Sequence, residues 1–245
     1  MDYPHLTETF EFSDSDKDCL GRVSAARICD ALQRVATSHA ALLGVGMADL
    51  MKDGHSWMLS ALSVEILRQP ESMRPLTLTT WPSGVKKRIV CTRDYVMADE
   101  SGAPVVKAVS DWIYVDVRSR KISMLTPRLA TLAPEGVPRV DVEPGPKSIE
   151  REGDHFEAPI GVRRSDTDIN RHVNNVHYID WLFESMPDAA YARTLRQLDI
   201  TFRQEALRGD QVVSEVWLSD GRPSMHALTR PSDGATLATA RCAWE

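Results

Sequence analysis

The segment Arg163-Arg164-Ser165-Asp166-Thr167-Asp168-Ile169-Asn170-Arg171-His172-Val173-Asn174-Asn175 gathers two carboxylates, three amides and an imidazole. His172 carries the one side chain here whose ordinary pKa lies near neutrality, so it can take and return a proton. Carboxylates and amides beside it can orient its ring or a water molecule. A degraded copy of the segment, Ser13 to Ala25, lies 150 residues earlier. Asp16 falls on Asp166, Asp18 on Asp168 and Val23 on Val173, but Leu20 falls on Asn170 and Arg22 on His172. The contrast predicts a reactive site in the second half alone. Asp168 has an acidic counterpart in Asp18, so a structural turn role for it stays open.

The elements that must hold this segment follow the same repeat. Ser24 and Asn174 occupy equivalent positions and both are strong helix N-cap residues. After the first cap, Ile28, Leu32, Val35, Ala36, His39 and Leu43 recur at spacings of three and four; after the second, Val176, Ile179, Leu182 and Phe183 do so. Further on, Leu67-Arg68-Gln69 aligns with Phe202-Arg203-Gln204 at an offset of 135, which leaves 15 extra residues in the first half. Near the ends, Gly102-Ala103 aligns with Gly234-Ala235 and Trp112 with Trp244, at an offset of 132. Strands are predicted over roughly 7–13, 57–68, 75–82, 86–99 and 104–117, then over 157–163, 196–205, 211–219, 223–230 and 235–244. Glu100-Ser101-Gly102, Arg208-Gly209-Asp210, Asp220-Gly221 and Asp233-Gly234 supply turns between them.

A strand, a helix and four more antiparallel strands make a curved antiparallel sheet wrapped around a central helix. That is an α+β hot-dog arrangement, here in tandem. Two such copies could pair their sheets edge to edge and cover edges that each would otherwise expose. The expected organisation is a first hot-dog over 1–126, a Pro-rich linker over 127–150 containing Pro127, Pro134, Pro138, Pro144 and Pro146, and a second hot-dog over 151–245. Because the tandem fold supplies its own sheet partner, monomer and homodimer both fit.

Bulk properties narrow the field. The formal net charge of -6 argues against nucleic acid as a partner. Cys19, Cys29, Cys91 and Cys242 are scattered without a C-x-x-C pair, which points to a reducing compartment and no zinc site. No apolar run approaches the ~20 residues of a membrane span, and no leader segment is legible at Met1-Asp2-Tyr3-Pro4-His5. These features suggest a cytoplasmic protein. Asp14-x-Asp16-x-Asp18 mimics the start of a calcium loop, but Cys19 replaces the needed glycine and Ala25 the closing glutamate. His172 and His177 are five apart, unsuited to a helical metal pair, so neither metal nor cofactor is expected. There is no G-x-S-x-G serine elbow, and Gly44-x-Gly46 lacks the rest of a dinucleotide fingerprint.

The run S-D-x-D-x-N-x-H-V-N-N-x-x-Y-x-x-W, filled by Ser165 to Trp181, resembles the signature of the acyl-ACP thioesterases. Leu32-Gln33, His39, Trp57, Thr80-Trp81-Pro82-x-Gly84 with Lys86 and Arg93, and Trp112 are also similar to that family. The resemblance implies hydrolysis of the thioester joining a fatty acyl chain to acyl carrier protein (ACP). The family's catalytic Asp, Asn and His fall on Asp168, Asn170 and His172. Its later catalytic Glu, expected on a strand, falls on Glu205. Plant members carry Cys after that Glu. Ala206 stands here, which removes a thiol nucleophile and favours an activated water. At the offset of 135, Glu205 aligns with Pro70, a residue without its chemistry.

In such a reaction either His172 or Glu205 could be the base, with Asp168 and Asn170 positioning His172 or the water. Backbone N–H groups at the start of the helix after Asn174 could receive the thioester oxygen. Lys86, Lys87 and Arg88, with Arg163 and Arg164, could steer an acidic, phosphorylated carrier, or could simply be solvated strand ends. The acyl pocket is expected in the first half, with Leu32, Val35, Met51 and Trp57 among its walls and His39 at its border. A thioesterase for acyl-CoA or polyketide-type thioesters, and a non-catalytic acyl-binding protein, are the alternatives.

Overall fold

The computed structural model describes residues 4–133, 135–145, 148–169 and 171–245. It divides into two compact units, Met1–Val23 with Asp30–Glu143 and Ser24–Cys29 with Pro144–Glu245. Each unit is an antiparallel sheet with a helix packed on it, and the chain is an α+β tandem hot-dog.

In the first unit the strands are β1 (Leu6–Phe10), β2 (His55–Ile66), β3 (Leu76–Lys86), β4 (Val90–Ala98), β5 (Pro104–Asp116) and the short β6 (Lys121–Ile122). Their order is β1-β3-β4-β5-β2, with β6 added on β5. Helix α1 (Ala25–Leu42) buries Leu32, Val35, Ala36 and His39. The insertion before β2 folds as the short helix α2 (Met47–Leu50) and a 3-10 turn, Met51–Asp53. Val45 and Leu50 from it pack with Tyr114, Leu125 and Leu129, and Trp57 closes the cluster by donating to the Val45 carbonyl at 3.0 Å.

The segment expected as an extended linker instead begins with helix α3 (Pro127–Ala130), whose Leu129 is buried in that cluster. Thr126 caps it, accepting from the Leu129 N–H, and Pro127 sits at its first turn, where a missing N–H costs nothing. Beyond it, Pro138 accepts the Trp81 indole N–H at 2.9 Å, and the Asp94 carboxylate takes the Arg139 Nε and Val140 N–H groups. The unit therefore runs to Glu143, while Pro134 and Pro146 lie outside the described residues.

The second unit contains β7 (Asp154–Gly161), α4 (Asn175–Leu182), α5 (Asp188–Tyr191), β8 (Leu195–Phe202), β9 (Gln211–Leu218), β10 (Ser224–Arg230) and β11 (Ala235–Trp244). The strand order is β8-β11-β10-β9-β7. Asn174 caps α4 through its side chain, which accepts the Val176 N–H at 3.0 Å. Val176, Tyr178, Ile179, Trp181 and Leu182 are buried, and each large apolar side chain among them stabilises the packing by about 1.5–3 kcal/mol. At the other end of α4 the Leu182 carbonyl, an orphan of the helix terminus, accepts from buried His226 at 2.9 Å. Among the described residues, no helix is long and apolar enough to cross a membrane.

The strand hydrogen bonds correct one register. Ile66 pairs with Val106 as Phe202 pairs with Ala238. Leu67 and Arg68 N–H both reach the Val105 carbonyl, as Arg203 and Gln204 N–H both reach that of Leu237. Met73 donates to Phe12 as Gly209 donates to Val162. Gln69, rather than Pro70, therefore stands where Glu205 stands.

Candidate active site

The polar segment folds as a tight loop held by its own carboxylates. Asp166 accepts the Arg163 N–H at 2.7 Å, closing a 3-10 turn over Arg164–Asp166. The Asp168 N–H donates to the His172 carbonyl at 2.8 Å, and the His172 N–H reaches back to the Asp168 carboxylate at 3.4 Å. The reversal requires a left-handed residue, and Arg171 fills it with φ of 65°. Such a conformation is unfavourable for any residue with a Cβ, so it marks a place where the loop is over-determined. In the first unit the same position is Gly21, with φ of 77°.

The first unit's copy of the loop shows what the second has kept and changed. The Asp18 carboxylate accepts the Leu20 and Arg22 N–H groups at 2.9 and 3.0 Å, and the Arg22 guanidinium closes on it at 2.8 Å. Burial raises the Asp18 pKa, but the hydrogen bonds and charge of Arg22 outweigh it and leave it lowered. Gln69 donates to the Val23 carbonyl at 2.7 Å. That loop is self-satisfied and carries no imidazole. Asp168 keeps the turn-forming contact of Asp18, while the His172 ring is directed elsewhere.

That direction is set by a second loop. After β8 the chain returns along the first loop: Val173 donates to the Ala206 carbonyl at 3.0 Å, and His172 bridges Leu207. The pairing brings the side chains of His172 and Glu205 together, with His172 Nδ1 at 3.3 Å from Glu205 Oε1. Glu205 is thus three residues beyond the end of β8, in a loop rather than on the expected strand.

Its backbone is pinned on both sides. The Tyr178 hydroxyl accepts the Ala206 N–H at 2.7 Å and donates to the Gln204 carbonyl at 3.1 Å. Burial pushes the Tyr178 hydroxyl up to about 12, so it stays protonated. Arg230 donates to the Glu205 carbonyl at 3.1 Å and is itself held by Asp210 and Asp233. The sequence signature contained Tyr178, but its contact with the Glu205 loop joins residues 28 apart and was not legible there.

The remaining site residues divide. Asn170 lies outside the described residues. Of the backbone donors expected to receive an oxyanion, Val176 N–H is taken by the Asn174 side chain and His177 N–H by the Asn174 carbonyl. Lys86 is neutralised by both oxygens of Asp111, at 2.8 and 2.9 Å. Lys87 and Arg88 form the exposed β3–β4 turn, and Arg163 and Arg164 are exposed in the other unit.

In the first unit a cavity of about 120 Å³ opens between α1 and the sheet, lined by Ala36, Ala40, Val45, Trp57, Arg93 and Trp112 among others. Of the four pocket residues expected, Trp57 lines it. Leu32 and Val35 are buried outside its lining, and Met51 is half exposed. Among the described residues no cluster of three or more His, Cys, Asp or Glu is placed to hold a metal.

Comparison with known families decides the lineage of this tandem arrangement. The model of the acyl-ACP thioesterase N-terminal domain matches residues 5–132, and that of the C-terminal domain matches residues 149–245. The chain belongs to the acyl-ACP thioesterase family. It is 28% identical over 200 residues to a chloroplastic acyl-[acyl-carrier-protein] hydrolase of Cuphea viscosissima, covering 77% of this chain and 48% of that protein. It is 28% identical over 206 residues to a chloroplastic oleoyl-acyl carrier protein thioesterase of Coriandrum sativum, covering 76% and 55% respectively. The chain thus spans about half the length of these curated relatives.

The fold is shared with an acyl-ACP thioesterase from Bacteroides thetaiotaomicron, at a TM-score of 0.85 and 22% identity over 99% of this chain and 98% of that one. It is shared equally with the 12:0-ACP thioesterase from Umbellularia californica, at a TM-score of 0.86 and 20% identity over 100% of this chain and 98% of that one.

Proposed function

We propose that this family member hydrolyses the thioester of fatty acyl-ACP, releasing free fatty acid and holo carrier by attack of an activated water. The observation that carries the reading is the His172–Glu205 pair at 3.3 Å, present in the second unit and replaced by the Arg22–Asp18 ion pair and Gln69 in the first.

A carboxylate facing Nδ1 selects the tautomer that carries its proton there, which leaves the Nε2 lone pair for a substrate water. In the proposed step Nε2 removes a proton from water as the water oxygen bonds the thioester carbonyl carbon. The resulting imidazolium is stabilised by Glu205. Collapse of the tetrahedral intermediate breaks the carbon–sulfur bond, and the proton on Nε2 passes to the departing sulfur of the phosphopantetheine arm. His172 is then the base and Glu205 its orienting partner. Asp168 holds the His172 backbone, and Asn170 is assigned to positioning the water.

The first unit's cavity, with Trp57 at its wall, supports placing the acyl chain there. Lys87, Arg88, Arg163 and Arg164 are the exposed cations we assign to carrier docking. Among the described residues no cysteine is in a disulfide, which supports a reducing, cytoplasmic setting; fatty acid biosynthesis is the role we assign to the proposed reaction.

Turnover on matched acyl-ACP and acyl-CoA tests the reading. We expect kcat/KM to favour the carrier and to fall with salt as the cations are screened. Equal or better rates with CoA would remove the carrier from the account. No hydrolysis of either would leave an acyl-binding protein.

A further inference from the structure

The cavity beside α1 combines apolar walls with a buried cation. Ala36, Ala40, Val45, Trp57 and Trp112 suit an alkyl chain, yet Arg93 lines the same space and is only 8% exposed. Its Nη1 donates to His39 Nδ1 at 2.9 Å and to Thr80 Oγ1 at 3.2 Å. Arginine keeps its protons, so His39 must accept at Nδ1 and be neutral. Burial, reinforced by the Arg93 charge, lowers His39 to about 4, consistent with that role. The Thr80 hydroxyl spends its own proton on the Asp94 carbonyl at 3.0 Å, which turns a lone pair toward Arg93.

These partners engage one of the three guanidinium nitrogens. Among the described residues Nε and Nη2 have no protein acceptor within hydrogen-bond range. Among the described residues no fully buried side-chain nitrogen or oxygen lacks a partner, so both nitrogens keep accessible surface, and the space Arg93 borders is this cavity. Among the described residues no carboxylate offsets the charge. Asp94 is committed to Ser83, Arg139 and the Val140 N–H, and the Tyr95 hydroxyl to Ser110. A saturated chain laid against this group would strip its remaining water and return no hydrogen bond. An oxygen on the chain would return a charge-assisted one.

We propose that the cavity is a subsite for aliphatic acyl chains bearing an oxygen substituent, with Arg93 donating from Nε and Nη2 to that oxygen. The proposal rests on the reading of the first unit as the acyl-binding half. Hydroxyl, keto and carboxylate oxygens share the required chemistry. His39 and Thr80 act as positioning residues for the guanidinium.

Two measurements on the full chain test it. The first is binding of fatty acid methyl esters of one chain length, followed by tryptophan fluorescence: unsubstituted, a hydroxylated positional series, and a diacid half-ester. The ester head removes any competing terminal carboxylate. The best hydroxy ester or the half-ester should bind wild-type protein at least about tenfold more tightly than the plain ester, the scale of one hydrogen bond to a charged group. Equal or weaker binding across the oxygenated series overturns the proposal.

The second is the ratio of kcat/KM for hydroxyacyl-ACP over acyl-ACP in wild type and Arg93→Met. The ratio should exceed one in wild type and fall to one or below in the variant. An unchanged ratio in a folded variant also overturns the proposal. Should wild type hydrolyse no acyl-ACP yet bind the oxygenated esters preferentially, the thioesterase reading fails while the subsite stands. If Arg93→Met does not fold, the wild-type binding series still decides.

Discussion

Removing one oxygen atom, by Tyr178→Phe, separates the placement of Glu205 from the fold that carries it. The Tyr178 hydroxyl bonds the backbone on either side of Glu205, at 2.7 Å to Ala206 N and 3.1 Å to Gln204 O. Ala206 is fully buried, so the substitution leaves its N–H without a partner. That omission costs about 1–3 kcal/mol, and the lost donor to Gln204 adds about 1 kcal/mol. We expect a net loss of about 2–3 kcal/mol, read as a fall in Tm of about 4–12 °C for a chain of this size.

Arg230 still holds the Glu205 carbonyl, so the loop shifts rather than detaches. A displacement near 1 Å at a reacting group costs roughly 10²-fold in rate. Steady-state hydrolysis of acyl-ACP, well below the variant's Tm, should therefore show kcat reduced about 10- to 100-fold. In a Glu205→Gln background the same substitution should lower Tm but add little further loss of rate. A variant that melts earlier as expected yet keeps kcat within about twofold of wild type would refute the positioning argument.

Other consequences follow from buried and strained groups. His226 is fully buried and neutral, its pKa lowered by burial from 6.5 to about 4. The unfolded chain binds that proton first, so stability is complete above about pH 6.5, falls as pH drops toward 4, and levels off below; the loss approaches about 3 kcal/mol. Urea midpoints between pH 7 and 4.5 should show this slope, made shallower by His226→Gln, and a flat profile would contradict the burial. Arg171 occupies the left-handed position that Gly21 fills in the first unit. Arg171→Gly should raise stability by about 0.5–1 kcal/mol by chemical denaturation, and a loss of stability would show that the arginine side chain contributes more than its backbone costs.

Much of the architecture was legible in the chain. The 150-residue offset located both loops because carboxylate turns and N-caps depend on nearby residues, and Asp166 and Asn174 act locally. Glycine and aspartate turns bracketed the strands for the same reason. What failed was non-local. Identity between Arg68-Gln69 and Arg203-Gln204 drew the second block one residue out of register, and register is set by cross-strand pairing that no short window contains. Correcting it replaces Pro70 by Gln69 opposite Glu205, a side chain of the same shape without a charge.

The prolines of 127–150 suggest a linker, yet Thr126-Pro127 is a legible cap followed by a first-turn proline. For the acyl pocket, helical periodicity identified Leu32 and Val35 as buried, but it could not say that Ala36 and Ala40 face the cavity. The His172–Glu205 contact was foreseeable only through resemblance, because it depends on a loop returning beside another after β8.

Catalysis turns on whether Glu205 serves His172. Substituting Glu205→Gln keeps the shape of the side chain and removes the charge that would stabilise an imidazolium at 3.3 Å. Single-turnover hydrolysis of acyl-ACP by this variant, beside its thermal melt, is the most direct measurement. We expect a rate lower by about 10²–10⁴ with the melting temperature unchanged within about 2 °C. A folded variant hydrolysing acyl-ACP within about threefold of wild type would contradict it.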